Sequence, residues 1–228
     1  AITPKDSFYL LLLSIYQQQN DLVRSAETLE LLLKLNPQKK DFWPALMASY
    51  LNLANEYEKK DAETSKAYLT RTIVTVERAQ ALGYLSTPKD CMNLVSFYLM
   101  AGQGNVATDY LYNGLKKGTI ESEPKSWMNL GLIYQQNNKE LQAINVLKEA
   151  AKLYANNGQI EYLIGEIYRG LDKTKDAEEH YRQAVAKGGM DKPQLVYQLL
   201  AFTAFEMGEL EEAMKAVDKA LTFKGAEG

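Results

Sequence analysis

The sequence contains one cysteine, Cys91, and one histidine, His180, so these are the only candidates for thiol or imidazole chemistry. A histidine beside a cysteine could activate the thiol as a nucleophile. We expect no such pair, because Cys91 aligns with tryptophans of an internal repeat described below, and His180, flanked by acidic residues, is expected to face solvent. One cysteine excludes an intrachain disulfide, and a zinc site would need several carboxylates besides these two residues. We therefore predict no catalytic residue, no metal site and no cofactor.

Two other patterns resemble reactive sites but fit turns and surfaces better. The stretch "AGQGN" at 101–105 contains Gly-x-Gly. Phosphate-binding glycines follow a strand and open a helix, whereas these follow a predicted helix, so we expect a turn between two helices. The acidic pairs 178–179 and 211–212 are adjacent in sequence on predicted outward-facing helices. They are more typical of a solvated face than of a general acid and base.

Composition argues against nucleic-acid and membrane partners. The 228 residues carry a formal net charge of -3, with charged residues spread along the whole chain. No segment is built to attract phosphate or anionic lipid. The longest apolar run, residues 8–15, is interrupted by Ser14 and is far shorter than the ~20 residues that cross a bilayer. The sequence opens with Ala-Ile-Thr-Pro rather than Met, so we expect a processed or excised piece of a longer protein.

The elements that would position any site come from an internal repeat. The stretch "WMNLGLIY" at 127–134 aligns with "YLIGEIY" at 162–168, so that Gly131 and Gly165 are equivalent. The equivalent positions along the chain are Leu13, Met47, Val95, Gly131, Gly165 and Ala201. A tyrosine follows three residues later in the first five repeats: Tyr16, Tyr50, Tyr98, Tyr134 and Tyr168. Apolar residues at i, i+3, i+4 and i+7 predict two amphipathic helices in each repeat, separated by a polar turn.

The pattern W-x-x-L-G-x-x-Y at 127–134, followed by A-x-x-x-L-x-x-A at 143–150, resembles the tetratricopeptide repeat. The resemblance extends over essentially the whole chain. It implies an all-α fold, a right-handed superhelix (α-solenoid) of about six helix-turn-helix repeats. We predict a single array over 1–228, with repeats at 6–39, 40–87, 88–123, 124–157, 158–193 and 194–228.

The second repeat is longer than the others. Tyr50 and Thr72 are 22 residues apart, where the equivalent spacing elsewhere is nine. The segment between them contains no Gly or Pro and is rich in Ala, Glu, Lys and Tyr. We therefore expect both helices of this repeat to be longer by about two turns each, at ~1.5 Å per residue, with Asp61 as an N-cap. A flexible loop is the alternative.

A stack of helix pairs has a concave face lined by the first helix of each pair. The positions beside the packing columns predict the residues of a partner-binding groove: Met92, Ser96, Met128, Gln135, Tyr162, Glu166, Arg169, Gln198 and Phe202. Methionine and aromatic side chains suit an apolar helix or an extended segment. Family members that grip a C-terminal carboxylate use Lys, Arg and Asn in these columns, which this chain offers only in scattered places.

Three functions are compatible with this pattern. The first is a non-enzymatic adaptor or scaffold that holds a protein or peptide segment in the groove. The second is a structural array that self-associates through its ends, because no polar capping helix follows the last repeat. The third is the recognition domain of a larger enzyme.

Longer phrases extend the resemblance. The stretches "ERAQALGYLSTPKD" at 77–90 and "NGLKKGTIESEPKSW" at 113–127 are similar to those of bacterial tetratricopeptide proteins of the TonB energy-transduction system. This resemblance implies a role in TonB-linked envelope transport and a periplasmic location in a Gram-negative bacterium. A cytoplasmic location is the alternative, and the resemblance identifies no partner.

Overall fold

The computed structural model describes residues 6–223, which form twelve α-helices and no strand. The helices are α1 (Asp6–Gln18), α2 (Leu22–Leu35), α3 (Phe42–Tyr57), α4 (Ala62–Ala81), α5 (Pro88–Met100), α6 (Gly104–Lys117), α7 (Pro124–Gln136), α8 (Glu140–Leu153), α9 (Gly158–Gly170), α10 (Thr174–Lys187), α11 (Pro193–Glu206) and α12 (Leu210–Leu221). The fold is an all-α solenoid of helical repeats, which confirms the predicted fold class.

The chain divides into two compact units, residues 1–121 and 122–228. The first holds α1 to α6 and the second holds α7 to α12, and within each unit every helix packs on its neighbours in sequence. One core cluster of the first unit includes Leu29, Trp43 and Tyr50. A cluster of the second unit is built around Tyr181 and Val196. Each predicted repeat contains two helices, and the single array over the whole chain stays a prediction.

The second repeat has the longest helices, as predicted. Helix α3 has 16 residues and α4 has 20, whereas the other described helices have 12 to 14. The expected gain of two turns in each helix is wrong for α3, which is longer by less than one turn. Asp61 forms the predicted N-cap of α4, accepting hydrogen bonds from the amides of Glu63 and Thr64. The rings of Tyr57 and Tyr68 meet across the extension, with centroids 5.9 Å apart.

Glycines at the aligned position allow paired helices to approach closely. A Cβ built at Gly165 on α9 would lie 2.6 Å from the ring of Tyr181 on α10, and one at Gly131 would lie 2.9 Å from Leu147. No side chain fits at either distance without movement of the neighbour. The helix-propensity cost of these glycines is therefore offset by packing. The stretch at 101–105 contains the predicted turn, at residues 101–103 with Gly102 at a φ of 70°, and Gly104 begins α6.

Candidate functional site

The nine predicted groove residues all lie outside the buried core. Met92 and Ser96 are on α5 of the first unit, and the other seven are on α7, α9 and α11 of the second. Among the seven, Glu166 and Arg169 of α9 are bonded to each other. That the nine residues line one groove stays a prediction.

Helix α9 presents an arginine in a fixed orientation. Arg169 donates two parallel hydrogen bonds to Glu166, from Nε to Oε1 at 3.0 Å and from Nη2 to Oε2 at 3.1 Å. Glu166 Oε1 also accepts a hydrogen bond from the hydroxyl of Tyr181 on α10. Burial raises the pKa of Glu166, but the hydrogen bonds from Arg169 and Tyr181 outweigh it and lower the pKa below its ordinary value. The charged carboxylate therefore holds the guanidinium, while 48% of the Arg169 side chain stays exposed.

An aromatic ring lies one turn before this pair. Tyr162 precedes Glu166 by four residues, so both lie on one face of α9. The Tyr162 ring is half-buried, with its centroid 6.4 Å from that of Tyr181. Burial and the nearby Glu166 carboxylate raise the pKa of Tyr162, so its hydroxyl stays neutral at physiological pH. This face of α9 therefore combines an apolar ring with an exposed hydrogen-bond donor.

The prediction that His180 faces solvent is wrong. Its side chain is only 10% exposed, and Nδ1 lies 2.7 Å from Oε2 of Glu161. Lys187 donates to the other carboxylate oxygen of Glu161 at 2.5 Å. The imidazole also stacks on Tyr168, with ring centroids 5.4 Å apart. His180 is buried because Glu161, which is only 3% exposed, needs hydrogen-bond partners for its charge in the interior.

The repeat alignment contains a signal for this buried acid. Glu161 aligns with Trp43, Cys91 and Trp127, all of which are buried. Cys91 is buried, as its alignment with tryptophans indicates, and the same reasoning applied to Glu161 would have required a basic partner for its buried carboxylate.

The acidic pair at 178–179 is solvated only in part. Glu179 is exposed, as expected, but Glu178 is 6% exposed and accepts hydrogen bonds from Arg182. The expectation of a solvated face at Glu178 is therefore wrong. Its carboxylate is compensated because Arg182 follows it by four residues on the same helix face.

Over 6–223, no three His, Cys, Asp or Glu side chains are grouped so that they could hold a metal ion. No helix in this range combines the length and apolarity that a membrane span requires.

Tyrosines connect successive repeats within each unit. Tyr50 on α3 donates a hydrogen bond to Glu30 on α2, and the guanidinium of Arg71 lies 5.6 Å from the centroid of the Tyr50 ring. We call Glu30, Tyr50 and Arg71 the junction triad. They line a cavity of about 560 Å³ between α2, α3 and α4. Burial and the Glu30 carboxylate raise the pKa of Tyr50, so the hydroxyl remains a hydrogen-bond donor.

Residues equivalent to Tyr50 and Glu30 are also hydrogen-bonded at other junctions between repeats. The tyrosine of α5, Tyr98, donates to Glu77 of α4 at 2.6 Å. In the second unit, Lys148 of α8 donates to Tyr168 of α9 at 2.9 Å. Each bond joins the tyrosine of one repeat to the equivalent position in the second helix of the preceding repeat. This position therefore sets the register between neighbouring repeats.

The last helix pair carries an apolar groove of about 550 Å³. Its walls are α11 and α12, and its lining is Ala201, Phe202, Phe205, Leu210, Ala213, Met214, Val217 and Asp218. We call this surface the end groove. Phe202 was among the predicted groove residues and is 54% exposed. The α12 wall was not predicted, although Leu210, Met214 and Val217 form an exposed apolar stripe on α12 beside its buried alanines.

Comparison with known families gives these repeats their identity. The tetratricopeptide repeat family model matches residues 6–39, 124–157, 160–186 and 195–226, just over half of the chain. The protein belongs to the tetratricopeptide repeat family. Repeats of this family present extended surfaces to protein partners, so the protein is a protein–protein interaction scaffold.

Solved structures show the same fold at low sequence identity. The crystal structure of MamA is 20% identical, with a TM-score of 0.51, and the match covers 71% of this chain and 92% of MamA. BtubC from P. vanneervenii is 19% identical, with a TM-score of 0.50, and the match covers 90% of this chain and 89% of BtubC. No curated protein sequence matches the chain significantly. At these identities the likeness is one of fold alone.

Proposed function

We propose that this tetratricopeptide repeat protein is a non-enzymatic adaptor that holds a short segment of a partner protein against the first helices of its second unit. The observation that carries the proposal is the fixed guanidinium of Arg169. Glu166 orients it, and Tyr181 anchors Glu166, before any partner arrives. Because the arginine is already ordered, binding avoids part of the cost of about 0.5–1.5 kcal/mol for immobilising a flexible side chain.

The chemistry of this face defines the partner segment. Arg169 has N–H groups beyond the two that Glu166 accepts, and these suit a carbonyl or carboxylate oxygen of a peptide. Tyr162 offers a ring against which an apolar side chain of the peptide packs. Met128 and Gln135 on α7 offer an apolar and an uncharged polar side chain to the same segment. The segment we expect is therefore mostly apolar, with one acceptor placed opposite Arg169.

A peptide-display selection on the purified full chain tests the adaptor proposal. We expect selected peptides to share an apolar or aromatic residue and a nearby acceptor, and to lose binding to Arg169→Ala and to Tyr162→Ala. Lys175→Ala is the matched control, because Lys175 is an exposed cation on α10 and forms no salt bridge among the described residues. Peptides that bind all variants equally would contradict the proposed site.

We propose further that the adaptor works in the periplasm of a Gram-negative bacterium, in a TonB-linked envelope transport system. The support is the resemblance of residues 77–90 and 113–127 to proteins of that system. Fractionation of cells that carry the native gene should place the protein in the periplasmic fraction, and crosslinking should recover components of the TonB complex. A protein found only in the cytoplasm would contradict this assignment.

A further inference from the structure

The end groove is too apolar for a surface that faces water. Phe205 is 65% exposed and Met214 is 68% exposed. The equivalent positions in the fifth repeat hold Arg169 and Glu178. Positions that carry charged side chains in one repeat thus carry large apolar side chains in the next. Contiguous exposed apolar surface of this kind marks a site of protein interaction.

The fold shows which kind of element fits the groove. In the fifth repeat the α10 side of the corresponding surface is covered by the next first helix, α11, whose Val196 packs against Ala177 and Tyr181 of α10, whereas Arg169 on the α9 side stays exposed. Leu199 and Leu200 of α11 pack against the same cluster. The equivalent residues of α1 are Phe8, Leu11 and Leu12. They are 60%, 60% and 39% exposed, so α1 presents the stripe that α11 buries.

Residues equivalent to the junction triad are divided between the first and the last repeat. Tyr16 and Arg24 of the first repeat are equivalent to the tyrosine and arginine of the triad, and Arg24 lies 5.6 Å from the centroid of the Tyr16 ring, the same distance as in the triad. The acidic position of the triad corresponds to Asp218 in the last repeat. Within residues 6–223, Asp218 forms no salt bridge and the Tyr16 hydroxyl forms no hydrogen bond.

We propose that α1 of one copy of this protein occupies the end groove of another copy, with Tyr16 of the first copy donating a hydrogen bond to Asp218 of the second. Arg24 lies over the Tyr16 ring and supplies the positive charge beside Asp218. The contact continues the packing already used between the fifth and sixth repeats. Because it joins two different surfaces, it is a heterologous contact that forms a ring or a filament according to the rotation between successive copies. It is independent of partner binding at Arg169.

Blocking one end at a time tests this arrangement. Leu11→Glu places a charge on the α1 stripe, and Met214→Glu places one in the end groove. By sedimentation velocity, the full chain should grow in mass with concentration, and each variant alone should stay monomeric. An equimolar mixture of the two should form a one-to-one dimer and grow no further, because the α1 of Met214→Glu still fits the groove of Leu11→Glu. A monomeric full chain, unaffected variants, or a mixture that stays monomeric would overturn the proposal.

A charge exchange tests the register. Arg24→Asp and Asp218→Arg each place like charges together at the contact and should weaken self-association by about tenfold or more. The double variant restores opposite charges and should recover most of the loss. Lys219→Asp, an exposed charge change on the same helix, is the control and should leave self-association within about twofold. A double variant no better than the single variants would overturn the Tyr16–Asp218 register, and unchanged helical circular dichroism confirms that each variant is folded.

Discussion

His180 and Glu161 form a buried pair between α10 and α9, with Nδ1 of the imidazole 2.7 Å from the carboxylate. Lys187 completes the arrangement on the other carboxylate oxygen. A buried carboxylate without these partners would be costly, and the pair therefore fixes how α9 packs on α10. The same two helices orient Tyr181 and, through it, Glu166 and Arg169.

Glu161→Gln should destabilise the protein at neutral pH by roughly 1–3 kcal/mol, because the amide cannot satisfy both basic partners. Burial raises the pKa of Glu161, but its hydrogen bonds to His180 and Lys187 lower it below the ordinary value of 4.5. The contribution is therefore complete above pH 4.5 and is lost as the pH falls through the lowered pKa of the folded state. Urea unfolding at pH 7 and pH 3 measures the difference.

The contrast between the two pH values identifies the charge as the cause. The free-energy gap between the native protein and Glu161→Gln should shrink at pH 3, because below pH 4.5 the Glu161 carboxylate takes up a proton on unfolding and its contribution to stability falls. Glu206→Gln, at an exposed position of α11, should change the free energy of unfolding by less than about 0.5 kcal/mol. An equal gap at both pH values would show that Glu161 acts through shape rather than charge.

Gly165→Ala should destabilise the protein by about 1–3 kcal/mol, because the new methyl group would overlap the Tyr181 ring. The movement of Tyr181 should also release Glu166. Gly170→Ala on the same helix is the matched control, since a Cβ there meets nothing within 4 Å, and it should be neutral or slightly stabilising. Thermal unfolding measures both. Equal effects of the two substitutions would mean that helix propensity, and not the close approach of α9 to Tyr181, determines the change in stability.

Tyr50→Phe should cost about 1 kcal/mol of folding stability, because Glu30 loses its hydrogen bond while the ring and its packing stay. Tyr197→Phe is the control, since the Tyr197 ring stacks on Phe223 and its hydroxyl forms no hydrogen bond among residues 6–223. Urea unfolding compares the two variants. A loss of similar size in both would show that the junction triad adds nothing beyond packing.

The periodic spacing of apolar residues predicted the helices, because the same packing contacts recur in each repeat. Gly131 and Gly165 lie at the close helix contacts, the 22-residue spacing from Tyr50 to Thr72 marked the long repeat, and the absence of Gly and Pro between them indicated longer helices. The unequal lengths of α3 and α4 were not predictable from composition, since the position of the turn between them depends on where Asp61 caps α4.

Side-chain bonds between helices were harder to predict. Glu166 and Arg169 were singled out by position alone, and their mutual bond follows from i,i+3 spacing. The anchor on Tyr181 could not be inferred, because it depends on the helix separation that Gly165 permits. The α12 wall of the end groove was not predicted, because the acidic pair at 211–212 indicated a solvated helix, whereas Leu210, Met214 and Val217 form an exposed apolar stripe on α12.

The most direct test of the adaptor proposal is the dissociation constant of a display-selected peptide, measured by calorimetry with the native full chain and with Arg169→Ala. A lost hydrogen bond to a charged donor is worth about 1.5–3 kcal/mol, so Arg169→Ala should weaken binding by about tenfold or more, while Lys175→Ala leaves it unchanged. Glu166→Gln should weaken it less, because it frees Arg169 without removing it. Equal dissociation constants for the native protein and Arg169→Ala would contradict the proposed role of the α9 face.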